Sequence, residues 1–113
     1  MARKNVLTSS PPYAGEQALK RLGANLRTAR LRRNLTIDDV AEKIGTGRYS
    51  IMAAEKGKPS TSAAVFTALL WTYDLLGPME LLADPATDQE GIRLSSRRER
   101  ARAGKLEALN DEF

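Results

Sequence analysis

The chain has 113 residues, enough for one domain, and 18 Lys and Arg against 14 Asp and Glu give it a net charge of +4. It contains no cysteine and no histidine, which excludes disulfides, thiolate nucleophiles, Cys- or His-ligated zinc and Ser-His-Asp chemistry. No apolar run approaches the ~20 residues that a bilayer-spanning helix needs, and no secretory pattern opens the chain, so a cytoplasmic protein without membrane contact is expected.

Charge is unevenly distributed. Residues 1–35 carry eight basic side chains and one acidic, residues 36–60 balance, and residues 61–92 carry five acids and no base. Residues 93–105 hold six basic side chains and one acid, and the last eight residues hold three acids. Basic blocks around an acidic middle suggest one DNA-facing side, although charge runs alone describe solvated tails more readily.

Residues 1–14 include Ser9, Ser10, Pro11 and Pro12 and show no periodicity, so a flexible arm is predicted, with Arg3 and Lys4 near its start. Over 15–33, Leu19, Leu22, Leu26 and Ala29 recur at helical spacing while Lys20, Arg21, Arg27, Arg32 and Arg33 take other faces. A second helix is expected after Thr36, which can cap it with Asp39 as reciprocal partner. Val40, Ala41 and Ile44 are its apolar positions, and Gly45 ends it with a positive φ. A third is expected over 48–56, with Ile51 and Ala54 inward and Gly57 and Pro59 stopping it. Two short helices joined by a glycine-bearing turn form a helix-turn-helix, whose second helix can enter the DNA major groove. Standing beside the first basic block, it reverses the preference for solvated tails. A fourth helix is predicted over 63–76, capped by Ser60, Thr61 or Ser62 and apolar nearly all round. A short fifth follows in MELLAD. PATDQEG reads as a linker, RLSSRRERARAGK as a basic helix interrupted by Gly104, and LEALNDEF as an acidic end. The fold expected is therefore all-α, a five-helix domain over 15–84 for DNA binding and dimerisation, between an arm at 1–14 and a charged tail at 85–113.

Thr36, Val40, Ala41, Ile44, Gly45, Ile51, Glu55 and Gly57 stand in the register of a known pattern. The segment resembles the phage-repressor-like, or lambda-repressor-like, Xre family. That resemblance implies that Gly47, Arg48, Tyr49, Ser50 and Ala53 face DNA. Arg48 is the best-suited base reader, since a guanidinium can donate two parallel hydrogen bonds to guanine, worth ~1–3 kcal/mol of discrimination. Tyr49 can reach a thymine methyl or a phosphate, and Ser50 a phosphate. Gly47 replaces the family's Ser or Thr cap, and Ile37 replaces a frequent phosphate-clamping Gln. Backbone contacts are therefore expected from Thr36, Lys43, Lys56 and Lys58. The resemblance also pairs Arg30 with Glu55 as a structural ion pair, with phosphate a second possible use of Arg30.

KGKPSTSAAVFTALLWTYDLL and the following LADPATDQEG look like the HipB-like antitoxins, small Xre proteins encoded beside HipA-like Ser/Thr kinase toxins. This resemblance implies a bacterial, nucleoid-associated homodimer that binds double-stranded operator DNA, represses its own operon and sequesters the kinase. The surplus apolar surface of the fourth helix points the same way, with Phe66, Leu70, Trp71, Leu75, Met79 and Leu82 as the pool for the dimer interface. Such a dimer reads a palindrome whose half-sites lie about 10 bp or a multiple apart. The tail is expected to be mobile until it meets toxin or DNA, with a tail that only aids solubility as the alternative. Its basic section suits DNA and its end suits protein, with Phe113 as an anchor. A stand-alone Xre regulator and a protein-only adaptor are the alternatives. No paired carboxylates, phosphate loop or metal spacing is present, so neither an enzyme nor a cofactor is expected.

Overall fold

The computed structural model describes residues 6–111, and every regular element among them is helical. The all-α class expected from the sequence is the class observed. The chain divides into two compact units, one ending at Leu76 and the other beginning at Gly77. Arg3, Lys4 and Phe113 lie outside the described residues.

The first unit contains α1 (Val6–Ser9), α2 (Tyr13–Arg32), α3 (Ile37–Ile44), α4 (Arg48–Glu55) and α5 (Ala63–Thr72). Residues 6–9 and 13–14 are thus helical where a flexible arm was expected. Pro12 stands at the N-cap of α2 with φ −54° and ψ 137°, and its carbonyl accepts the Glu16 amide at 2.9 Å. A proline at a helix start gives up an N–H that the first turn does not use, so this pair opens the helix rather than preventing it.

The turn from α3 to α4 is built locally. The Thr36 hydroxyl accepts the Asp39 amide at 3.0 Å, and the Asp39 carboxylate accepts the Thr36 amide at 2.9 Å. The Thr36 amide and, after it, the Thr36 hydroxyl hold the Asp39 carboxyl below its ordinary pKa. Gly45 adopts φ 75°, and the Thr46 amide reaches back to the Ala41 carbonyl at 3.0 Å. Only a left-handed residue closes the helix that way.

α5 ends at Thr72, four residues short of the expected stop at 76. Asp74 takes φ 57°, and the Leu75 amide bonds to the Leu70 carbonyl at 2.8 Å. Aspartate tolerates the left-handed region better than most residues, so it ends the helix although the apolar sequence runs on.

Leu26 and Ala29 of α2, Val40 and Ala41 of α3, Ile51 and Ala54 of α4, and Phe66, Leu69 and Tyr73 of α5 and its cap form the core. α4 packs against α2, α3 and α5. Its contact with α2 depends on two glycines. A Cβ on Gly23 would lie 2.6 Å from the Ala54 and Glu55 carbonyl oxygens, and one on Gly57 would lie 2.6 Å from the Lys20 Cα. Gly57 also has φ 67°. Backbone meets backbone here, which no side chain permits.

The second unit has 3₁₀ turns at Gly77–Leu81 and Pro85–Thr87, followed by α6 (Gln89–Asp111). The helix expected in MELLAD is the first of these turns, shifted toward Gly77. Residues 89–91 are helical rather than linker, because the Asp88 carboxylate accepts the Gly91 amide at 3.0 Å and so caps α6. Gly104 does not interrupt the helix. One glycine costs only ~1 kcal/mol against alanine, and the surrounding Arg, Ala, Lys and Leu are strong helix formers. No described residue of this unit is buried.

Candidate nucleic-acid interface

α4 is held in place from its rear. Arg30 donates from Nε to Glu55 at 2.7 Å and from its second terminal nitrogen at 3.0 Å, while the first terminal nitrogen donates to the Leu35 carbonyl at 3.0 Å. The two side chains are 9% and 7% exposed. Its bond to Glu55 raises the pKa of Arg30 against the opposing effect of burial. The pair ties α2 to the last residue of α4 and fixes the angle of that helix. Arg30 keeps 9% of its side chain exposed and lines the same cleft as Thr36 and Arg48.

The front of α4 is open. Gly47 caps it with an extended backbone (φ −81°, ψ 156°) and no side-chain bond. Arg48, its first residue, keeps 55% of its side chain exposed, and Tyr49 is 78% exposed. Ser50 and Ala53 are half-buried. A cationic side chain at the positive end of a helix dipole is poorly placed for stability. Arg48 is offset by Asp38 in the first turn of α3, whose carboxylate lies 3.6 Å from its Nε.

The expected residues fall into three groups. Thr36 and Arg48 line one shallow cleft with Leu35, Ile37 and Asp38. Tyr49, Ser50 and Ala53 line a second with Ser60, Thr61, Ser62 and Val65. Lys43, Lys56 and Lys58 are exposed near the C-terminal ends of α3 and α4. Sequence reasoning missed Asp38 as the partner of Arg48. Ten residues and a turn separate them, and only the packing of α3 on α4 brings them together. It also treated Ser60–Ser62 as caps alone. Ser62 does cap α5, accepting the Val65 amide at 3.2 Å, and the segment walls the second cleft as well.

The interface pool divides differently from expectation. Phe66 is buried in the protomer's own core at 7% exposure, because it lies on the side of α5 that packs inward. Leu70 is half-buried against that core. Trp71 and Leu75 are exposed, at 65% and 43%. In the second unit Met79 is half-buried and Leu82 exposed.

No described helix is long and apolar enough to cross a membrane. No curated protein and no solved structure matches the sequence. A family model described as a helix-turn-helix domain matches residues 21–82. This span is more than half of the chain and takes in α3, α4 and both Gly23 and Gly57, and the protein belongs to that DNA-binding helix-turn-helix family.

Proposed function

We propose that this protein is a sequence-specific transcriptional repressor that binds operator DNA as a homodimer and serves as the antitoxin to a HipA-like Ser/Thr kinase. Arg48 carries the DNA half of the reading. It is the first residue of α4, is exposed, shares a cleft with Thr36 and precedes the exposed Tyr49. A guanidinium at the start of a recognition helix can reach a guanine edge, while Thr36, Ser50, Lys43, Lys56 and Lys58 fix the register on phosphates.

The exposed Trp71 supports a partner surface, since a large aromatic is a favoured interface anchor, and Leu75 is exposed as well. In a dimer they form the two-fold contact and set the half-site spacing. The antitoxin role rests on the resemblance of residues 56–91 to HipB-like proteins. The test is co-purification with the neighbouring gene product, followed by footprinting of the shared promoter. A kinase that co-purifies and a palindromic footprint are expected. A footprint with no kinase gene nearby leaves a stand-alone regulator, and a promoter that is not bound refutes the repressor reading.

A further inference from the structure

Thirteen consecutive positions of α6 hold Arg93, Arg97, Arg98, Arg100, Arg102 and Lys105, with Glu99 the one acid among them. Helical spacing sets Arg93, Arg97 and Arg100 along one flank and Arg98, Arg102 and Lys105 along another. Glu90, near the N-terminal end of the helix, pairs with Arg93. Among the described residues, Arg97, Arg98, Arg102 and Lys105 have no carboxylate within ion-pair distance.

This register works against the free helix. Arg93 with Arg97 and Arg98 with Arg102 are four residues apart, and Arg97 with Arg100 and Arg102 with Lys105 are three apart, so like charges face one another. Alternating signs would keep the chain equally soluble without that repulsion. A polyanion lying along the helix would relieve it. A helical protein partner is a poorer fit, because between Leu94 and Leu106 the only apolar side chains are Ala101 and Ala103, too small for an apolar seam. Nor is α6 seated firmly enough to read bases, since none of its described side chains is buried. The remaining match is the phosphate backbone, for which the arginine fork is suited. At ~1.5 Å per residue the 13 positions of the basic stretch are long enough to follow about 6 bp of duplex.

We propose that α6 is a second, sequence-independent DNA-binding element that lies along the backbone of duplex DNA. It rests on the reading of DNA as this protein's ligand and adds an affinity that the helix-turn-helix does not supply. The test uses the full-length chain with Arg97, Arg98, Arg102 and Lys105 all changed to Gln, a good helix former, and a random-sequence duplex titrated by fluorescence anisotropy at several salt concentrations. Each neutralised phosphate contributes ~0.9 to the slope of log affinity on log salt, so the variant should be shallower by about 2 or more. A slope within about 0.5 of wild type overturns the proposal. Changing the three arginines to Lys should preserve the slope, and if that variant loses binding as the Gln variant does, charge is not the cause and the proposal fails. Polyglutamate bound as tightly as the duplex would identify an acidic protein partner and also overturn it. Arg48→Ala, measured in parallel for operator selectivity, separates the two readings. Lost selectivity there with an unchanged α6 slope refutes only the α6 assignment. Retained selectivity with a lowered α6 slope refutes only the assignment of Arg48.

Discussion

The helix-turn-helix unit and α6 are both helical, yet they are held by different physics. The first unit buries residues from four helices and ties α2 to α4 by an ion pair and by two glycines in backbone contact. α6 has its cap, its helix propensity and an i,i+3 ion pair, and no described buried side chain. Helices without tertiary burial are marginal in water. The first unit therefore depends on contacts between residues distant in sequence, and α6 on contacts within a turn or two.

Removing Glu55 should give the largest effect. Glu55→Ala leaves the Arg30 guanidinium buried beside a missing partner, and breaking a buried pair in this way costs ~3–5 kcal/mol. Denaturant unfolding of the whole chain should register that loss in the first unit, while α6, followed by a local probe, should be unaffected. A loss below about 1 kcal/mol would mean that the pair does not hold α4.

Glycine substitution tests the contrast directly. Gly23→Ala should destabilise the first unit by about 2–3 kcal/mol, because the new Cβ meets carbonyl oxygens that cannot move without shifting α4. Gly104→Ala has open space around its Cβ and should strengthen α6 by up to ~1 kcal/mol through propensity alone. Circular dichroism and thermal melts of the two variants should move in opposite directions. Two shifts of the same sign would remove the distinction between the units.

On DNA the contrast becomes one of information. Arg48→Ala should cost about 1–3 kcal/mol on the operator and relax preference at one position per half-site. Lys58→Ala should weaken all sequences alike and lower the salt slope by about 1. Competition binding against single-base operator variants distinguishes them, and unchanged base preference in Arg48→Ala would mean that the α4 register is misread.

Tyr73 gives the smallest effect. Its hydroxyl is buried without a hydrogen-bond partner, and burial raises its pKa. The unfolded chain therefore releases this proton first, so stability falls as pH rises above the ordinary tyrosine value of about 10. Tyr73→Phe keeps the ring beneath Arg33, whose Cζ lies 5.4 Å from its centroid, and removes the orphan hydroxyl. At pH 7 it should be neutral or stabilising by up to ~1 kcal/mol. Melts above pH 10 should show a smaller alkaline loss than wild type. A clear loss of stability at pH 7 would show that the hydroxyl is satisfied after all.

By itself the sequence determined the all-α class, the limits of α3 and the turn leading to α4. The α3 limits and the turn follow from Thr36, Asp39 and Gly45, whose bonds close within five residues, and the class follows from apolar side chains at helical spacing. Signals that depend on composition were less reliable. The apolar run past Thr72 and the Gly104 position both suggested the wrong helix end, because Asp74 could turn left-handed and strong neighbours carried α6 through its glycine. Only the tertiary structure decided that Phe66 faces inward, that Asp38 meets Arg48, and that Gly23 is indispensable to the seat of α4. Each depends on the distance and angle between two helices. Helix packing sets those quantities across many residues at once, and no local spacing in a single sequence encodes them.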